Sequence, residues 1–213
     1  TIHTLLANEN QPFATHDYTI FVAEVASTLN ERLLLDHLLR QTKDPVERIA
    51  LIQQSISNIT STFYFQTMLA DFEWQVHQMV EAGQPVTTEK LKTLTAELDS
   101  IYYGNAVAVD ELYHYVWTRI PHIYRTPFYV YQYATCFASS AKIYEDMTAG
   151  SKKQRQTATE KYLEMLKSGG SDYPMNQLKL AGVDLTQPDT FLAVVQQFEG
   201  LVDQLEKEID KLD

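Results

Sequence analysis

The sequence predicts an all-α protein of many helices, and three observations carry that expectation. Apolar residues recur at helical spacing over long stretches. No segment alternates polar and apolar residues between hairpin turns. Proline, glycine and short-side-chain capping residues punctuate the chain at the joints between periodic stretches. With 213 residues, 45% of them hydrophobic and only seven glycines and seven prolines, the chain can bury a substantial core in one or two domains.

Residues 1–8 read as the end of a helix, broken by Asn8-Glu-Asn-Gln-Pro12. The next helix covers 18–40, with Phe21, Val25, Leu29, Leu33 and Leu35 on its apolar positions. Asp44-Pro45, with Glu47 three residues after the cap, opens one long helix to about Ala82, ended by Gly83-Gln-Pro85. Thr87 starts another to about Tyr103, stopped by Gly104, and Asp110 caps a shorter one toward Arg119. Residues 121–127 read as a two-proline loop, followed by an aromatic helix from Phe128 to about Ala149. Gly150-Ser151 precedes a helix over 152–167, and Gly169-Gly170 with Tyr173-Pro174 leads to a short helix ended by Gly182. Thr186-Gln-Pro188 opens the last, acidic helix, which is expected to fray toward Asp213. No internal repeat supports a solenoid.

A formal charge of -11 argues against nucleic-acid binding, which needs clustered Lys and Arg to displace counterions from phosphates. No apolar run reaches the roughly 20 residues of a membrane span. A single cysteine, Cys136, excludes an internal disulfide and suits a reducing compartment; on a helix it reads as an inert packed side chain. A Gly-x-Ser-x-Gly elbow and phosphate-binding glycine loops are both absent from the sequence.

The most informative stretch is Asp17-Tyr-Thr-Ile-Phe-Val-Ala-Glu24-Val-Ala-Ser-Thr-Leu-Asn-Glu31. It sets Glu24 and Glu31 two helical turns apart, about 10 Å along the axis, on nearly one face. Burying either carboxylate without a cation or donors would cost several kcal/mol. On residue type alone, such a glutamate is more often paired or edge-exposed than a metal ligand, and Glu31 could simply partner Arg32. A second stretch is Arg119-Ile-Pro-His122-Ile-Tyr124-Arg125-Thr-Pro-Phe128-Tyr129-Val-Tyr131-Gln-Tyr133. Its tyrosines spread around a helix axis and could be packing alone. In a third, Glu73 and His77 stand at i,i+4, a spacing commoner in intrahelical pairs than in metal sites.

These stretches resemble the oligoendopeptidase F branch of the thimet-oligopeptidase-like zinc metallopeptidases, over most of residues 1–145 and fading beyond. In that family a helix carries His-Glu-x-x-His, and a later helix supplies a glutamate as third zinc ligand in a context similar to Phe21-Val-Ala-Glu24. The opening Thr1-Ile-His3-Thr-Leu-Leu is similar to what directly follows the second histidine. The resemblance implies that the zinc-binding histidine pair and the catalytic glutamate lie upstream of Thr1. It also implies that Glu24 is a zinc ligand, that Glu31 orients a histidine ligand, and that His3 makes a structural polar contact. His122 with a tyrosine, among Tyr129, Tyr131 and Tyr133 and less so Tyr124, would stabilise the oxyanion. Glu73 and His77 belong to a stretch similar to the family's Gln-x-Met-x-Ala-x-Phe-Glu and read as scaffold behind the site.

The implied protein is the C-terminal lobe of a zincin-type oligopeptidase, with residues 1–149 as the catalytic-lobe portion and 150–213 as an extension packed on it. Its substrates would be short oligopeptides and its location cytoplasmic. Zinc is expected in the intact enzyme but not in this chain alone, which would be inactive and would associate with itself through surface meant for the missing N-terminal lobe. No nucleic-acid or membrane partner is expected. The competing expectation is a non-catalytic helical module that binds peptides or a partner.

Overall fold

The computed structural model describes residues 2–104 and 107–212; Thr1 and Asp213, placed by the sequence in the first and last helices, lie outside the described residues. Among those described, all regular structure is helical. In order come α1 (Ile2–Asn10), α2 (Ile20–Gln41), α3 (Pro45–Ile59), a π-helical turn (Thr60–Tyr64) and α4 (Phe65–Glu81). After them come α5 (Thr88–Tyr103), a 3₁₀ helix (Glu111–Arg119), α6 (Pro121–Arg125), α7 (Tyr131–Thr148), α8 (Lys152–Lys167), α9 (Pro174–Leu180) and α10 (Pro188–Ile209).

Local chemistry places most of the ends. Thr87 accepts the Lys90 amide, Asp110 the Leu112 amide at 2.8 Å, and Ser151 with Gln154 forms a reciprocal capping box. Asp44 caps α3 by accepting the Val46 amide at 3.0 Å. Three expectations are corrected. The long 45–82 helix is interrupted by the π turn, where Phe63 is buried and the Thr67 hydroxyl bonds the Phe63 carbonyl at 2.7 Å. Residues 121–125 are a short helix, with Pro121 in its first turn where the missing N–H costs nothing. The aromatic helix begins at Tyr131 and not at Phe128, because Phe128 takes a left-handed backbone, φ 58°.

The chain divides into two compact units, residues 1–59 with 135–213, and residues 60–134. Neither boundary falls at the Ala149–Gly150 joint. In the first unit the core joins Val22, Val25 and Leu29 of α2 to Cys136 and Ile143 of α7, Met165 of α8 and Leu178 of α9. Within the same unit α10 packs along α3 and α8 along α1. Arg48 of α3 is held by Glu208 of α10 at 2.8 Å and by the carbonyls of Leu39 and Thr42 at the end of α2. The second unit closes around Met68 and Phe72 of α4 and Leu94 and Leu98 of α5, with Trp117 and Ile123 packed on them.

Candidate active site

The first unit presents Glu24 from the middle of α2. Its carboxylate is half-buried, and the compensation that the sequence demanded comes from a hydroxyl: Ser27 donates to Glu24 Oε2 at 2.6 Å. Thr28 bonds the Glu24 carbonyl at 2.7 Å. Glu24 lines a cavity of about 790 Å³ with His3, Tyr18, Asn30 and Tyr162. Glu31 is exposed and lines a different, smaller cavity beside Leu35, Leu51 and Phe137, so two turns of helix separate these carboxylates into distinct surroundings. Arg32 pairs with Asp36 at 3.4 Å and lies over the Tyr144 ring.

His3 is buried and stacks face to face on Tyr18, with ring centroids 3.5 Å apart and planes 7° off parallel. Among the described residues neither ring nitrogen has a hydrogen-bond partner, so the polar contact expected of it is replaced by stacking. Burial lowers its pKa to about 4, which keeps it neutral. Cys136 is buried and donates to the Phe21 carbonyl at 3.1 Å. Burial, reinforced by the negative charge of Glu24, pushes its thiol up to about 12, as suits a packed, unreactive side chain.

The second unit gathers three of the expected aromatic residues. His122 of α6 stacks on Tyr129 at 5.2 Å and meets Tyr133 edge-on at 6.1 Å, and the two tyrosines meet at 5.6 Å. His122, Tyr129 and Tyr133 are half-buried, whereas Tyr131 and Tyr124 are exposed. Imidazole and phenol groups held in one cluster can supply donors where negative charge develops on a carbonyl oxygen.

The turn between His122 and Tyr129 is met by two side chains of α4. Glu73, 2% exposed, accepts the Phe128 amide at 2.8 Å. One turn along, the His77 ring lies 4.5 Å from the Phe128 ring. A left-handed backbone costs a bulky residue about 1–2 kcal/mol, and an intramolecular hydrogen bond contributes about 0.5–1.5 kcal/mol. The bond is of the size to offset much of the strain. Sequence reading placed Glu73 as scaffold but gave no sign of this partner, because a backbone amide carries no residue-type signal.

Among the described residues no group of three or more His, Cys, Asp or Glu side chains could hold a metal ion. Glu24 offers one carboxylate donor, and a catalytic zinc takes three protein ligands. Among the described residues no side chains complete such a set with it.

The sequence profile described as "Peptidase family M3" matches residues 1–197. An oligoendopeptidase F homolog of Lactococcus lactis subsp. lactis is 40% identical over 211 residues, 99% of this chain and 34% of that protein. Oligopeptidase PepF of Bacillus subtilis is 35% identical over 212 residues, covering 100% of this chain and 31% of that one. The crystal structure of oligoendopeptidase-F from Enterococcus faecium superposes with a TM-score of 0.84 at 35% identity, over 99% of this chain and 38% of that one. The chain thus spans about a third of the length of the relatives it matches. With the profile matched along nearly its whole length, the chain belongs to peptidase family M3.

Proposed function

We propose that this chain is the C-terminal helical portion of a zinc oligoendopeptidase that hydrolyses short peptides. The observation that carries the proposal is the match along the whole chain to oligoendopeptidase F proteins. Glu24 contributes one zinc ligand, and the two histidine ligands and the glutamate general base come from sequence preceding Thr1. When bound, the metal supplies Lewis-acid activation of water and of the scissile carbonyl. This chain's own work is to hold the Glu24 carboxylate with Ser27 and to offer His122 with Tyr129 or Tyr133 to the oxyanion. Glu31 has a lesser part, as a carboxylate that steadies a histidine ligand. A cytoplasmic setting belongs to the same proposal and is supported by the single, buried cysteine.

Sequencing the N terminus of the protein made by its native host tests the reading. A His-Glu-x-x-His segment before Thr1 is expected, and in that intact protein Glu24→Ala should remove stoichiometric zinc and chelator-sensitive cleavage together. A native start at Thr1, with peptide binding but no cleavage, would overturn it in favour of a binding module. The isolated chain should hold less than one equivalent of zinc and cleave nothing.

A further inference from the structure

We propose that Glu73 is a positioning residue: its buried carboxylate, backed by the ring of His77, clamps Phe128 in the left-handed conformation and thereby holds Tyr129 against His122. The inference rests on the proposed role of His122 and Tyr129 only for its catalytic meaning. Its structural content stands on the second unit alone.

The chain of causes begins at Pro127. A residue before proline is driven out of the helical region, and Thr126 accordingly leaves α6 as its C-cap, with its amide on the His122 carbonyl at 2.9 Å. Phe128 then turns left-handed, which is the step that reverses the chain and brings Tyr129 back over the imidazole seven residues earlier. Glycine would adopt this backbone without strain, but phenylalanine does so only where its surroundings over-determine it. Those surroundings include two residues of one helix face. Glu73 takes the backbone amide at 2.8 Å and His77 takes the side chain at 4.5 Å, so both halves of Phe128 are held from α4. Phe128 itself is 45% exposed, so core packing does not place it. A carboxylate kept 2% exposed strengthens the bond, because little water competes for the acceptor. α4 is in turn fixed by Met68 and Phe72 in the unit's core, so the turn inherits the rigidity of the helix.

The test is residue-resolved amide hydrogen exchange on this chain for the wild type, Glu73→Gln, Glu73→Asp, Glu73→Ala and His77→Ala, with a thermal melt of each. The Phe128 amide should be protected in the wild type and in Glu73→Gln, which keeps an acceptor at the same reach. It should exchange roughly tenfold to a hundredfold faster in Glu73→Ala and in Glu73→Asp, whose carboxylate is one methylene short. His77→Ala should give a smaller acceleration. The change should stay within residues 122–131 while the amides of α4 and α5 keep their protection. An unprotected Phe128 amide in the wild type overturns the proposal, as does a Glu73→Ala effect spread evenly over α4 and α5, which would mark Glu73 as ordinary core. If the alanine variant does not fold, the Asp and Gln pair decides the matter by itself. No substrate or metal enters the measurement, so its failure is distinct from failure of the peptidase reading, which zinc content and cleavage by the intact protein decide.

Discussion

At the scale of single residues, burial sets the chemistry. His3 is neutral in the fold because desolvation holds its pKa near 4, against about 6.5 in an unfolded chain. The stability this contributes is complete above pH about 6.5. It is lost as pH falls toward about 4, because over that range the unfolded chain takes up a proton that the folded chain refuses. Glu24 lines the same cavity, and Tyr18 stacks on the ring. Replacing His3→Phe, which keeps an aromatic face on Tyr18, should flatten the dependence of Tm on pH between about 6.5 and 4. An unchanged slope would place the titration elsewhere. Cys136 is the parallel case: with its thiol pushed up to about 12, a disulfide-exchange reagent at pH 8 should leave the native chain unmodified and label it fully in denaturant. Rapid labelling of the native protein would contradict the burial.

At the scale of elements, the joints decide more than the helices. Gly169-Gly170 follows α8 and is pressed against the segment between α1 and α2. The Gly170 amide bonds the Thr15 carbonyl at 2.8 Å, and a Cβ on Gly170 would stand 2.1 Å from the Asp17 carbonyl oxygen. Backbone cannot yield as a flexible side chain can. Gly170→Ala should therefore destabilise by about 1–3 kcal/mol or more, read as a fall in the urea midpoint. Gly200, inside α10, is the contrasting case, because a Cβ added there would meet nothing within 4 Å. Gly200→Ala should raise stability by about 0.5–1 kcal/mol, because alanine loses less backbone freedom on entering a helix. A gain at position 170 or a loss at 200 would mean that this joint or the middle of α10 is packed differently from the structure described.

At the scale of the whole molecule, length and surface belong together. The chain spans about a third of the relatives it matches. It also carries large apolar side chains in the open, including Phe13 at 91% exposure, with Ile2 and Leu5 on α1. Exposed apolar groups of this size support the proposal that other sequence covers them in the intact enzyme. Light scattering on the isolated chain should then show concentration-dependent association that Phe13→Ser reduces. A monodisperse monomer at all concentrations would remove that support. No helix among the described residues is long and apolar enough to cross a membrane.

Sequence by itself determined the helical class and most of the helix ends, because these depend on short-range chemistry. Asp110 caps where it was expected to, α5 and α8 begin just after Thr87 and Ser151 as expected, and Gly104 stops α5 with a positive φ. It also carried the family, since the residues around Glu24 and His122 are a pattern of neighbours. It did not reveal the π turn at Thr60–Tyr64 or the 3₁₀ winding of 111–119, where tertiary packing overrides propensity. Nor could spacing along a helix choose among the tyrosines. The left-handed turn at Phe128 selects Tyr129 and Tyr133 as the rings that meet His122. That turn depends on Glu73, 55 residues away in the chain, and only the tertiary structure brings a buried carboxylate to a backbone amide at that separation.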